Sequence, residues 1–141
     1  MPYPVPRYKP TSPIERLAEN LGAGLHTLVL LDVKADEGRF MTAPEALRLM
    51  VEMADASGAK ARDPLAPKDA GKSFGPKTLA VVVERAGEPD ARARAATVER
   101  LLTFEYGPPM HCIIVPGAMH FEEQSALAAL CGALPEELPE L

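Results

Sequence analysis

Tryptophan is missing from this chain, and aromatic residues of every kind make up only 5% of it. Its core must therefore close on Leu, Val, Ala and Met rather than on large rings. Cysteine is nearly missing too. Cys112 and Cys131 have no spacing that suits a disulfide framework or a metal site, and both lie in apolar surroundings, as reduced cysteines acting as small core residues do. A positive excess is also lacking. The formal net charge is −5, which argues against nucleic acid as a partner, because neutralising phosphates needs a basic surface. No apolar run approaches the roughly 20 residues of a membrane span. Residues 1–4 (Met-Pro-Tyr-Pro) lack the basic and apolar regions of a signal peptide. The compartment read from these absences is the cytoplasm. What is present is a hydrophobic fraction of 47% in 141 residues. That is enough for one domain with a true core and too much for global disorder.

The chain is organised around residues 25–34 (LHTLVLLDVK). The continuous Leu/Val run reads as a strand buried on both faces of a covered sheet. Asp32 and Lys34 return it to water, paired with each other. Two later runs match it, 77–85 (KTLAVVVER) and 110–115 (MHCIIV). Amphipathic segments separate the runs. Ser12-Pro13-Ile14-Glu15 is a capping-box start, with Ser12 as the cap, for a helix over 13–21. Thr42, Pro44 and Glu45 open a second helix over 43–57, which carries Leu47, Met50, Val51 and Ala54 at helical period and closes at Gly58. Thr97 caps a short helix with Val98, Leu101 and Leu102, and a last helix runs over 120–131 to Gly132.

Between these elements, 1–10 holds four prolines and reads as an extended connector to something preceding it, leaving 11–141 as one α/β domain. Residues 59–76 read as a solvated loop. Gly71-Lys72-Ser73 within it is not a phosphate loop, since Ala66 stands where the first glycine is required and no strand leads in. The Arg/Ala alternation of 91–95 reads as a charged edge strand in a hairpin with 77–85. The expected fold is a three-layer α/β sandwich with a mixed sheet flanked by helices.

Chemistry-bearing spacing is sparse. His26, His111 and His120 are the only histidines, and they form no HxH or HxxxH pair, so zinc is unsupported. No serine sits in a GxSxG elbow, and no GxGxxG occurs. Neither cysteine has a basic neighbour to activate it. Each histidine alone reads as a hydrogen-bonded strand-end or cap residue.

Three motifs nevertheless occur together and in order. They are Gly24-Leu25-His26-Thr27-Leu28 running on to Leu31-Asp32-Val33-Lys34-Ala35 and Met41-Thr42-Ala43; then Val81-Val82-Val83-Glu84-Arg85-Ala86-Gly87; then Gly107-Pro108-Pro109-Met110-His111 with Ile114-Val115-Pro116-Gly117 and His120. With Pro10-Thr11-Ser12-Pro13 ahead of them, they resemble the C-terminal half of the diphthine synthases, members of the tetrapyrrole-methylase-like methyltransferases. That family's N-terminal methylase domain has no counterpart here. The resemblance implies a homodimeric, two-domain enzyme using S-adenosyl-L-methionine. Its substrate would be translation elongation factor 2, methylated on the amine of a modified histidine during diphthamide biosynthesis. The family's cofactor contacts in this half fall on Leu31, Ala86 and His111: an apolar wall, a small residue admitting close approach, and a ring and backbone able to meet a purine edge. Glu88 departs from the family, which has Ser there, and puts an acidic group beside the implied pocket. The resemblance identifies no catalytic base.

Three readings follow. The chain is a methyltransferase half that needs the N-terminal domain in cis or in trans. Alternatively it is a non-catalytic module for dimerisation or partner docking with a vestigial pocket, or a methylase of the same fold acting on a small substrate. Leu25-His26-Thr27-Leu28 and 107–111 favour the first over the last.

Overall fold

In the computed structural model, residues 1–4, 11–60 and 74–140 are described. The rest of the proline-rich connector and the segment 61–73, with Gly71-Lys72-Ser73, lie outside them. Four α-helices are present among the described residues: α1 (Ser12–Gly22), α2 (Ala43–Lys60), α3 (Val98–Leu101) and α4 (Phe121–Cys131). The strands are β1 (Thr27–Leu30), β2 (Val33–Lys34), β3 (Arg39–Phe40), β4 (Leu79–Glu84), β5 (Arg92–Thr97) and β6 (His111–Val115). β2 and β3 form a small antiparallel hairpin around Gly38, which takes the left-handed conformation the turn needs (φ 64°).

The main sheet has the order β1-β6-β4-β5. The helical crossover through α2 leaves β1 and β4 pointing the same way, but β6 inserts between them and runs opposite, so all three ladders are antiparallel. The mixture of directions expected from the sequence therefore contains no parallel neighbours among the described strands. The 91–95 stretch is the edge strand β5, in a hairpin with β4.

Helices lie on both faces. Ile14 and Leu17 of α1, Ala43, Ala46, Leu47 and Met50 of α2, and Val98 and Leu101 of α3 close the larger core over Ala80, Val82, Ala96, Ile113 and Val115. On the other face Leu127 and Cys131 of α4, with Ala133, cover Val81 and Ala95. Ile113, Val82 and Leu47 have no exposed surface, and burying each fully is worth about 2 kcal/mol.

Several local readings are corrected. β1 is not buried on both faces: Leu28 and Leu30 are 59% and 66% exposed. It is the outer strand, and α4 sits over the β5 side of the sheet, so the apolar run meets solvent on one face. The N-cap position of α1 is Thr11 rather than Ser12, and the expected capping box does not form: the Thr11 side chain accepts no main-chain N–H, its hydroxyl donating instead to Glu15 Oε1 at 2.9 Å. α2 runs past Gly58 to Lys60. Asp32 pairs with the main-chain N–H of Tyr3 (3.0 Å) instead of with Lys34, while Arg39 and Lys34 lie over the Tyr3 ring. α4 is built as its sequence suggests. His120 is its N-cap, reciprocated by Glu123 in a capping box, and Gly132 closes it at φ 73°.

Candidate functional site

The antiparallel register decides which distant residues meet. His111 stands opposite Glu84 across the β4–β6 ladder. The β1–β6 ladder ends at Leu30–Cys112, which sets Leu31 beside the start of β6. Ala86 lies two residues past the end of β4. Leu31, Ala86 and His111 thus come to the same end of the sheet, the end formed by the C-termini of β1 and β4 and the N-terminus of β6. Leu31 is half-buried against the larger core. Ala86 is exposed, with Gly87 beside it at φ 87°, so the main chain of this turn is open to close approach. His111 is buried, at 6% exposure.

The role read for the His111 ring is corrected by its bonds. Its Nδ1 accepts from the N–H of Ala43 at 3.2 Å, and its Nε2 donates to the Gly107 carbonyl at 2.9 Å. Both ring nitrogens are spent inside the protein, which fixes the tautomer. The ring satisfies a free N–H at the start of α2 and anchors the 107–111 segment, so only the main chain of His111 is left to meet a ligand. Tyr106 packs beside it, with ring centroids 5.9 Å apart. Burial pushes the Tyr106 hydroxyl up to about 12, and that hydroxyl donates to the Leu101 carbonyl at 2.6 Å.

Glu84 is the residue that sequence reasoning missed. It is 3% exposed and accepts hydrogen bonds from Arg92 at 3.1 and 3.2 Å and from the Gly107 N–H at 2.8 Å, with Arg94 at 3.7 Å. Burial alone would raise its carboxyl, but the Arg92 bonds, the Gly107 N–H and the two arginine charges outweigh it and hold the group below the usual glutamate range. A signal for it existed: one acid ends an apolar strand, and the paired strand carries arginines two residues apart. Arg85, which follows, is a non-glycine residue in the left-handed region (φ 51°). Its N–H donates to the Met110 carbonyl (2.8 Å), and its guanidinium reaches Pro109 O (3.0 Å) and Asp90 (2.9 Å). These contacts over-determine an unfavourable conformation next to Ala86, a pattern common at ligand-binding turns.

The other histidines lie at the opposite end of the sheet. His26 Nδ1 accepts from the Gly117 N–H (2.9 Å), and its other nitrogen meets Glu123 at 3.1 Å. A cavity of about 300 Å³ opens at this far end, lined by Leu21, Leu79, Val115, Met119 and Leu138. Its one acid, Glu137, is committed to Arg100 at 2.6 Å. No group of three potential metal ligands exists among the described residues. The cysteine thiols are half-buried and pushed up by that burial, which suits packing rather than nucleophilic attack. No helix among the described residues is long and apolar enough to cross a membrane.

By fold, this is an α/β domain of the kind found in diphthine synthases. A crystal structure of diphthine synthase superposes with a TM-score of 0.72 at 21% identity, over 92% of this chain and 44% of that one. By sequence, the chain is a homologue of those proteins. It is 41% identical over 133 residues to the diphthine synthase of Methanothermobacter thermautotrophicus, covering 94% of this chain and 46% of that protein. It is 38% identical over 131 residues to that of Methanocaldococcus jannaschii, covering 92% and 46%. The chain spans about half the length of these curated relatives, and the half it matches is the C-terminal one. No family model matches it.

Proposed function

We propose that this chain is the C-terminal half of a diphthine synthase. In this reading it helps bind S-adenosyl-L-methionine for methylation of the amine on the modified histidine of translation elongation factor 2, in the cytoplasm. The observation that carries the proposal is the meeting of Leu31, Ala86 and His111 at one end of the sheet, in a homologue of proteins named diphthine synthase.

The residues suit the cofactor in a specific way. Leu31 offers an apolar wall. The exposed turn at Ala86 and Gly87 offers open main chain, and His111 offers main chain but no free ring nitrogen. The cofactor supplies an electrophilic methyl group. The protein's task is to hold the acceptor amine in line with it, and positioning of that kind can supply most of the rate. An N-terminal methylase domain, in cis or in trans, completes the site in this proposal, and the working unit is a homodimer.

The test is calorimetric titration of S-adenosylhomocysteine into the 141-residue chain. It is done alone and after mixing with the N-terminal half of the M. thermautotrophicus enzyme. Binding that appears or tightens with the added half, together with methyl transfer to elongation factor 2, supports the proposal. No binding in either case refutes it. A second reading, a docking module without catalysis, draws on the exposed Leu28 and Leu30 and predicts that second result together with self-association.

A further inference from the structure

We infer that Glu84 is a positioning residue for the cofactor site. Through Gly107 it fixes where the His111 main chain and the Ala86 turn stand relative to each other. The inference rests on the cofactor reading above, and what carries it is a continuous set of bonds. One Glu84 oxygen takes the Gly107 N–H at 2.8 Å, and the Gly107 carbonyl takes His111 Nε2 at 2.9 Å. His111 Nδ1 takes the Ala43 N–H at 3.2 Å. From the next residue, Arg85 binds the carbonyls of Met110 and Pro109. The segment 107–111 thus hangs from Glu84 and Arg85 on one side and from α2 on the other, and Ala86 follows directly.

Stability alone is a poor account of this acid. A buried carboxylate with an ion-pair partner is weak evidence for stability, and here Glu84 is buried while Arg92, which it faces across an edge ladder, is half-exposed. What a carboxylate adds is a short, charge-assisted bond to a main-chain N–H on a separate segment. Gly107 is shaped to receive it. A Cβ there would stand 3.2 Å from Glu84 Oε2, so a side chain at 107 would push the carboxylate back by a few tenths of an ångström and strain its bond to the Gly107 N–H.

The experiment measures S-adenosylhomocysteine affinity by calorimetry, using the chain mixed with the N-terminal half named above. The variants are Glu84→Gln, Gly107→Ala and, as a control at the far end of the sheet, Glu137→Gln. The last also removes the charge from a partly buried arginine pair, with Arg100. The expected result is a Kd raised about tenfold by the first two, in keeping with what small misplacements cost, and unchanged by the control. The 15N resonances of the His111 ring report whether its Nε2 bond has shifted in Gly107→Ala, which keeps every charge in place. Should Glu84→Gln fail to fold, Gly107→Ala decides alone. Folded variants that bind like the parent overturn the inference, as does an equal loss in Glu137→Gln, which would mark a global stability effect. A parent chain that does not bind at all overturns the cofactor reading and this inference with it.

Discussion

Replacing His111 by leucine keeps a buried apolar body at the start of β6 but removes both ring nitrogens. Two groups then lose partners: the N–H of Ala43, a residue with no exposed surface, and the half-buried carbonyl of Gly107. An unsatisfied buried amide costs about 2 kcal/mol, and a carbonyl that can still reach water about 1 kcal/mol. The expected loss is therefore about 3 kcal/mol. For a domain of this size that lowers the melting temperature by about 10 °C. His111→Asn separates the two contributions. Its Oδ1 can take the place of Nδ1 and keep the Ala43 bond, so the loss should fall to about 1 kcal/mol. Thermal melts followed by circular dichroism give the totals, and hydrogen exchange at the Ala43 amide gives the mechanism: fast in the leucine variant, protected in the asparagine variant. A leucine variant melting within about 3 °C of the parent would refute the reasoning. So would an asparagine variant as damaged as leucine with an equally unprotected Ala43. The result also bears on function, since lost cofactor binding in a His111 variant cannot be ascribed to a missing ligand contact until this structural cost is subtracted.

Glu84 and Glu137 are both held below the ordinary glutamate value of 4.5 when folded. Their stabilisation is thus complete above that value and is lost as pH falls below it and through their lower folded values; the melting temperature should be flat above about pH 5 and drop below it, with a shallower drop in Glu84→Gln/Glu137→Gln, and equal slopes would contradict this. Leu47→Ala, at a position with no exposed surface, should cost about 3 kcal/mol in urea unfolding, and a loss under 1 kcal/mol would mean that the core over α2 collapses freely. Leu28→Ser/Leu30→Ser, on the open face of β1, should change stability by less than about 1 kcal/mol while weakening any self-association seen by sedimentation; a stable variant that associates as before would place the contact elsewhere.

Much of the fold was legible because its signals are local. Val/Leu/Ile runs marked β1, β4 and β6, the Arg/Ala alternation marked the edge strand β5, and the His120 and Gly132 boundaries of α4 follow from capping chemistry. What was not legible depends on partners far along the chain. The buried reading of β1 failed because periodicity reports how apolar a strand is, not whether a helix lies over it, and α4 covers β5 instead. Thr11 in place of Ser12 is a one-residue slip between adjacent hydroxyl residues, and the capping box failed because the Thr11 hydroxyl turns to the Glu15 side chain instead of the main chain. The site residues came from resemblance to a family, and periodicity would have left Leu31 and Ala86 as packing. The Glu84–Gly107–His111 connection spans 27 residues and depends on the register of β6 between two strands, which no pattern in one strand contains.

The bonding at this end of the sheet also limits what chemistry its buried groups can perform. A catalytic base needs a lone pair pointed at the proton it takes. Both Glu84 oxygens are engaged, by Arg92 and the Gly107 N–H, and the carboxyl is held below its usual range, which makes it a weak proton acceptor. His111 Nδ1, its one ring lone pair, already holds the Ala43 N–H. Asp32 accepts from Tyr3 and Asp90 from Arg85. The two buried groups at this end, Glu84 and His111, are therefore spent on fixing main chain: the start of α2 and the 107–111 segment. Under the proposed function, a half-site built this way contributes by placement, holding apolar and main-chain surface at set positions. Transfer of a methyl group to an amine asks for that above all, since its geometry must be in line and its electrophile arrives with the cofactor.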